Sequence, residues 1–179
     1  MILKITISIV IILVIFLGYV STRSSEFDYV RSGVIKASPE EIFPYISNLR
    51  KGELWSPYEK LDPNMKKTFN GVDGTVGSSM DFEGNRDAGS GRLEILNIVP
   101  NQSVELKLTM TEPIKVENVV IYTLTSENDG TRFSWSMKGD SGFLGKLVGV
   151  FIDCEKMLAG QFSEGIENLK NYIEKNKAQ

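Results

Sequence analysis

The side chains best suited to chemistry are few in this sequence, and they do not form a known catalytic pattern. Glu83, Arg86 and Asp87 cluster around one predicted turn, where they could act in acid–base chemistry or border the entrance of a cavity. A solvated hairpin tip is the simpler interpretation of the same three residues. The sequence contains no histidine, which removes the usual general base and the commonest metal ligand. We therefore predict no catalytic residues, no metal site and no cofactor.

The single cysteine, Cys154, is the only potential thiol nucleophile. It falls on the apolar stripe of a predicted helix, so we predict a small buried hydrophobic residue rather than a reactive thiolate. Asp153 and Glu155 beside it are assigned to the polar face of that helix. The spacing patterns of zinc sites, P-loops and dinucleotide-binding loops do not occur. These features favour a binding protein, while an enzyme that uses carboxylates or tyrosines stays open.

The overall composition is that of one folded domain. A chain of 179 residues with 41% hydrophobic residues can bury a core of ordinary size. The net charge of −3 leaves no basic surplus to attract phosphates, so we predict no nucleic-acid partner.

The N-terminal segment departs from this average because it is almost purely aliphatic. From Ile5 to Val20 only Thr6 and Ser8 interrupt the run. The stretch from Ile2 to Val20 corresponds to about 28 Å of helix, close to the roughly 30 Å hydrocarbon core of a bilayer. We therefore assign residues 1–22 to a single transmembrane anchor.

A cleaved signal peptide is the alternative, since Lys4 supplies a short positive region before the apolar run. The run is longer than an ordinary signal core, and Gly18-Tyr19-Val20 places bulky residues where a cleavage site needs small ones. Lys4 before the run, against Arg23 followed by Glu26 and Asp28 after it, favours a domain on the outer side of the membrane.

A folded domain is predicted over residues 27–179, after a polar linker at residues 23–26. Ser38 as N-cap, Pro39 at the first helical position and Glu41 at capping-box spacing predict a short helix near its start.

Alternating hydrophobicity and regularly spaced turn residues predict an antiparallel meander in the centre of the domain. Apolar side chains alternate along residues 104–110 and 133–137, so each of these segments lines one face of a sheet. The predicted strands are Phe27–Ile35, Met65–Phe69, Ser78–Glu83, Gly89–Val99, Ser103–Met110, Val116–Glu127 and Thr131–Lys138.

The hydrophobic period changes to that of a helix after Gly142 and holds to the end of the chain. This pattern predicts one long amphipathic helix. Its apolar stripe comprises Leu147, Val150, Phe151, Cys154, Met157, Leu158, Phe162, Ile166, Leu169 and Ile173.

These elements predict an α+β fold, in which a curved antiparallel sheet of about seven strands wraps around the long C-terminal helix. A bent sheet and one helix often leave a gap between them, which forms an apolar pocket. The candidate ligand-binding residues are Trp55, Tyr58, Met80, Phe82, Met110, Trp135, Met137, Phe151 and Met157. A plainly filled core is the alternative for each of them, and anchoring of its loop is a further alternative for Trp55.

A series of short motifs follows in order along the domain. They are residues 37–43 at the first helix, Trp55-Ser56-Pro57, Asp62-Pro63-Asn64-Met65, Glu83-Gly84-Asn85, Gly89-Ser90-Gly91, Asp129-Gly130-Thr131-Arg132, Trp135-Ser136-Met137 and Phe143-Leu144-Gly145-Lys146. From about Tyr29 to the C-terminus this series resembles the START-like or Bet v 1-like superfamily, particularly bacterial SRPBCC or polyketide cyclase/dehydrase-like proteins. The resemblance implies the helix-grip fold and a hydrophobic cavity.

The resemblance implies no single activity, because the superfamily includes lipid carriers, hormone receptors, aromatase/cyclases and chaperone regulators. An anchor would place the cavity beside a bilayer, which favours a lipid-like ligand. We predict a membrane-anchored binding or carrier domain for a hydrophobic small molecule, such as a lipid, an isoprenoid or a polyketide-like compound. The alternatives are a polyketide cyclase/dehydrase-like enzyme and a chaperone-like envelope interaction module. The oligomeric state stays open.

Overall fold

The computed structural model describes residues 2–151 and 153–177, and it has a β-rich domain with a helix before it and helices after it. The helices are α1 (Ile2–Ser21), α2 (Pro39–Ile46), α3 (Gly142–Val148) and α4 (Cys154–Lys177), with 3₁₀ turns at Leu49–Leu54 and Pro57–Lys60. The strands are β1 (Glu26–Ile35), β2 (Lys66–Asn70), β3 (Ser79–Glu83), β4 (Ser90–Val99), β5 (Ser103–Glu112), β6 (Val116–Glu127) and β7 (Gly130–Asp140). The predicted outer limits at residues 1 and 179 fall outside the described residues.

The predicted fold class is confirmed. Within residues 2–151 and 153–177, seven strands form one antiparallel sheet in the order β1-β7-β6-β5-β4-β3-β2. Each predicted strand lies within two residues of its observed bounds. Period-two alternation was sufficient to place the strands because a sheet covered on one side must be apolar on that face.

The two ends of the sheet have different surroundings. At one end, Glu26 of β1 pairs with Asp140 of β7, and Met110 of β5 pairs with Val116 of β6. Helix α1, the β3–β4 turn and the β5–β6 loop adjoin this end, which we call the proximal end. The opposite end, where β1 finishes at Ile35, is the distal end.

The junction between β1 and α2 is fixed by the predicted capping residues. The Glu41 carboxylate accepts the backbone N–H of Ser38 at 2.7 Å, and Pro39 takes a helical position that needs no N–H donor. Lys177 of α4 forms an ion pair with Glu41 at 2.8 Å. Helix α4 therefore ends at the distal end of the sheet.

Helix α4 crosses the concave face of the sheet and approaches it most closely at glycines. A Cβ at Gly33 of β1 would lie 2.7 Å from Cγ2 of Ile166, and one at Gly165 of α4 would lie 2.6 Å from Cζ3 of Trp135. The helix buries Phe162, Ile166, Leu169 and Ile173 against the sheet. Helix α4 can therefore lie this close to the sheet only because Gly33 and Gly165 have no Cβ atoms.

The expectation of one continuous C-terminal helix is wrong. Helix α3 ends at Val148, a turn follows, and α4 begins at Cys154. The Asp153 carboxylate accepts the backbone N–H of Lys156 at 2.9 Å, which caps the start of a new helix. Phe151 consequently lies in a turn instead of on a helical stripe.

Helix α1 has the length and composition of the predicted anchor. It is 20 residues long and apolar enough to cross a bilayer, a property that membrane anchors and signal sequences share. Its side chains are exposed except for Phe16, which is half-buried, and Val20, which is buried. The Lys146 ammonium of α3 donates to the carbonyl oxygen of Ser21 at 3.3 Å, so the end of α1 contacts the domain.

Two glycines of α4 provide a matched test of the close helix–sheet contact. A Gly160→Ala substitution has open space around its Cβ and should stabilise the chain by about 1 kcal/mol, since alanine favours a helix more than glycine does. Gly165→Ala should instead destabilise it by about 1–3 kcal/mol, because the new methyl group overlaps Trp135. Thermal unfolding of the detergent-solubilised chain, followed by circular dichroism, measures both changes. A stabilising effect of Gly165→Ala would contradict the packing described here.

Candidate ligand-binding cavity

A cavity of about 1000 Å³ lies between the concave face of the sheet, α4 and the 3₁₀ turns. Its apolar walls include Met80, Leu93, Leu108, Val120 and Met137. At the proximal end its lining includes the exposed residues Phe151 and Ile114, so the cavity reaches the surface there. A plainly filled core therefore does not describe this part of the domain.

All nine predicted ligand-binding residues line the cavity. Trp55, Phe82, Trp135 and Met137 are buried in its walls, Tyr58, Met80 and Met110 are half-buried, and Phe151 and Met157 are exposed at its open end. The structure thus brings the set together around one space. That these residues contact a ligand stays a prediction.

An aromatic cluster forms the inner wall. Trp135 stacks on Phe162 with ring centroids 4.6 Å apart, and it meets Trp55 edge-on at 5.5 Å and Tyr122 at 5.4 Å. The indole N–H of Trp55 donates to the carbonyl oxygen of Tyr45 at 3.0 Å. Trp55 therefore anchors its loop and also lines the cavity, so both interpretations of this residue apply.

The ionisable groups on the inner wall are phenols that stay neutral. Burial raises the pKa of Tyr58 to about 12. Burial, and secondly the proximity of Tyr58, raise the pKa of Tyr122 further. The indole N–H of Trp135 is also buried, without a hydrogen-bond partner among the described residues. The inner wall can therefore offer hydrogen-bond donors to an oxygen atom, but its phenols are poor bases near neutral pH.

Lys67 is a structural residue of the site that the sequence analysis did not identify. Its side chain is 10% exposed, and its ammonium donates to Glu59 at 2.5 Å and to Glu53 at 3.1 Å. Burial opposes the charge, but hydrogen bonds to Glu59 and Glu53 outweigh burial and raise the pKa of Lys67. Both glutamates line the cavity, so the pairing ties the 3₁₀ turns to β2. The available signal was the alternation of β2, which places Lys67 on the same face as Phe69.

The predicted entrance residues lie at the proximal end, but only one of them lines the cavity. Asp87 belongs to the lining, whereas Glu83 and Arg86 do not. A role for these three residues as an entrance stays a prediction. The opening is bordered by residues 23–27, 145–146 and 148–151, of which only Phe151 was predicted as a site residue.

Cys154 differs from its expected environment. It is half-buried at the first turn of α4 and lines the cavity near its opening, so the prediction of a buried residue is wrong. The reason is the break between α3 and α4, which puts Cys154 at a helix start. In the described parts of the chain, no three His, Cys, Asp or Glu side chains are grouped to hold a metal ion.

Comparison with known families gives one match that covers most of the chain. The family described as "Polyketide cyclase / dehydrase and lipid transport" matches residues 26–174. Among curated proteins, none matches the sequence.

Several solved structures share the fold at low sequence identity. Protein SA2116 of Staphylococcus aureus, described as a protein of unknown function, is 13% identical with a TM-score of 0.63, over 86% of this chain and 97% of that chain. Ara h 8.0201 is 15% identical with a TM-score of 0.57, over 83% and 97% of the two chains. The di-domain ARO/CYC StfQ of the steffimycin biosynthetic pathway is 9% identical with a TM-score of 0.63, over 86% of this chain and 52% of StfQ. At these identities the similarity establishes the fold alone.

The contribution of the Lys67 ion pairs to the free energy of unfolding can be measured against an exposed lysine pair as a control. Lys67→Met removes the cation between Glu53 and Glu59 and should destabilise the chain by about 1–2 kcal/mol, because the half-buried carboxylate of Glu59 then loses its partner, while the exposed carboxylate of Glu53 adds little. Lys60→Met removes the exposed pair with Glu164 and should cost less than about 0.5 kcal/mol. Urea unfolding of both variants in detergent gives the comparison. Equal losses would show that Lys67 does not hold the 3₁₀ turns in place.

Proposed function

The chain belongs to the polyketide cyclase/dehydrase and lipid transport family, and from this premise we propose that it is a membrane-anchored binding or carrier domain for a hydrophobic small molecule. The ligand would be a lipid, an isoprenoid or a polyketide-like compound held in the central cavity. The START-like or Bet v 1-like resemblance of the sequence agrees with this family.

The observation that carries the proposal is the apolar cavity of about 1000 Å³. Sites for small molecules usually measure roughly 300–1,000 Å³, so this one has room for a long or multi-ring compound. Each methylene group removed from water contributes about 0.8 kcal/mol, and ten of them would contribute roughly 8 kcal/mol before the costs of ordering the ligand. Apolar contact alone therefore supplies enough free energy for useful affinity.

The polar groups of the cavity support binding without chemistry. The ionisable side chains of its inner wall, Tyr58 and Tyr122, have raised pKa values, so near neutral pH they donate hydrogen bonds and do not remove protons. The carboxylates Glu53 and Glu59 are paired with Lys67. These groups suit recognition of a ligand oxygen better than acid–base catalysis.

Helix α1 supports the anchoring part of the proposal. Its exposed side chains are aliphatic along almost the whole length of the helix, and water solvates such a surface poorly. Insertion into a bilayer removes this surface from water, with the domain on the outer side according to the flanking charges.

The anchor has a direct test in the host cell. The mature chain should keep a mass that includes residues 1–22 and should stay in the membrane fraction after alkaline carbonate extraction. Exchanging α1 for an established cleavable signal peptide provides the control, since that chain should be released in soluble form. Recovery of the unaltered chain as a shorter soluble protein would identify α1 as a signal peptide.

The ligand has a test that compares the two faces of β5. Native mass spectrometry of the full chain, purified from its host in mild detergent, should detect a bound apolar molecule. Leu108→Trp adds bulk inside the cavity and should lower the occupancy roughly tenfold. Thr109→Trp adds the same side chain on the opposite face of the strand and should leave occupancy unchanged.

Two results would contradict the binding function. One is a chain that stays unliganded under gentle conditions in every preparation. The other is equal occupancy in the Leu108→Trp and Thr109→Trp variants, which would place the bound molecule outside the cavity.

A further inference from the structure

Four large apolar side chains are exposed beside the opening of the cavity. Phe143 and Leu144 of α3, Phe151 of the following turn and Met157 of α4 are 48%, 60%, 77% and 57% exposed. We call these four residues the mouth patch. A concentration of large exposed apolar side chains in one short part of a chain is typical of a site that contacts a protein or a membrane.

The mouth patch is continuous with the apolar surface of α1. The rings of Phe16 in α1 and Phe151 in the mouth patch lie 6.1 Å apart between centroids. In addition, the Lys146 ammonium of α3 donates to the carbonyl oxygen of Ser21 at 3.3 Å. Helix α1 therefore meets the mouth patch at the Phe16–Phe151 pair.

The position of Phe16 along α1 sets the depth of this contact. Phe16 precedes Val20, the last apolar residue of α1, by four positions, which corresponds to about 6 Å along the helix axis. If α1 spans a bilayer, Phe16 lies within the hydrocarbon core, and Phe151, whose ring centroid is 6.1 Å from that of Phe16, lies no higher than about the level of Val20. The end of α3 and the turn after it then reach below the membrane surface.

We propose that the mouth patch is immersed in the bilayer leaflet next to α1, so that the cavity opens directly into the membrane. The proposal rests on the anchoring and the cavity binding proposed above, and it specifies the ligand further. The ligand class is a membrane-resident molecule with a long apolar chain, taken from the leaflet and not from water.

The lining of the cavity supplies a path for such a chain. Val148, Val150, Phe151 and Met157 border the opening and also line the cavity. An apolar chain could pass from the leaflet to the inner wall along these apolar residues. Direct passage avoids the cost of exposing each methylene group, about 0.8 kcal/mol.

The charges around the opening indicate that apolar contact, and not attraction to anionic lipids, holds the mouth patch at the membrane. Arg23 and Lys146 line this region together with Glu26, Asp87, Asp153 and Glu155, so acidic side chains outnumber basic ones. Such a surface gains nothing from an anionic bilayer. Immersion is therefore expected in a purely zwitterionic membrane.

A fluorescent label can measure the depth of the mouth patch. The full chain carrying Cys154→Ser receives one new cysteine, labelled with the environment-sensitive dye NBD, and is reconstituted in phosphatidylcholine vesicles. The substitutions are Phe151→Cys in the mouth patch, Leu13→Cys within α1 and Val76→Cys, which is exposed at the distal end. A nitroxide on the upper part of the lipid acyl chains should quench the label at position 151 roughly threefold more than at position 76. Phe143→Cys provides a second position on the mouth patch.

The three labels separate the outcomes. Quenching at positions 13 and 151 supports immersion. Quenching at position 13 alone overturns it while leaving the anchor intact, and self-quenching of the label at position 151 would then identify a second copy of the chain as the contact. Absence of quenching at position 13 overturns both the anchor and the immersion. Failure of cavity binding is measured separately, as an empty chain in native mass spectrometry.

Discussion

The close contact between α4 and one side of the sheet is the constraint on which the cavity depends. Gly33 of β1 and Gly165 of α4 let the helix approach to a distance that a Cβ at either position would prevent. Because α4 is held over β1, it does not cover β3, β4 and β5. The apolar side chains of those strands, such as Leu93 and Leu108, remain half-buried and face open space. The cavity is therefore a consequence of where the helix lies, and not of missing hydrophobic residues.

Trp135 connects this contact to the character of the site. One part of its indole ring packs against Gly165 of α4, one face stacks on Phe162, and its edges meet Trp55 and Tyr122. The interactions that fix the helix position thus also build the inner wall of the cavity. Since the ionisable groups of this wall are the neutral phenols of Tyr58 and Tyr122, a charged ligand would lose its hydration there without gaining an opposite charge, whereas an apolar ligand would not.

The sequence predicted the strands and the cavity residues because both depend on local patterns. Alternation places Met137 and Trp135 on the face that points inward, and turn glycines separate the strands. The break between α3 and α4 was missed because apolar residues recur at helical spacing across it, although α3 ends at its cap residue Gly149 and Asp153 caps the start of α4. The pairing of Lys67 with Glu59 was missed because it joins a strand to a 3₁₀ turn. Hydrophobic periodicity predicts the elements themselves and gives no information about ion pairs between them. The volume of the cavity was likewise beyond sequence reasoning, because the same side chains can line a filled core.

The break between α3 and α4 links the cavity to the N-terminal helix. In a continuous helix, Phe151 would lie on the same helical stripe as Phe162 and Ile166. The turn instead presents Phe151 to Phe16 of α1, and it leaves residues 145–146 and 148–151 as a border of the opening. The turn between α3 and α4 thus places Phe151 both at the opening of the cavity and against the apolar helix. Under the binding function proposed above, ligands would be selected mainly by length and shape, because hydrophobic contact has no direction and the inner wall offers only a few hydrogen-bond donors.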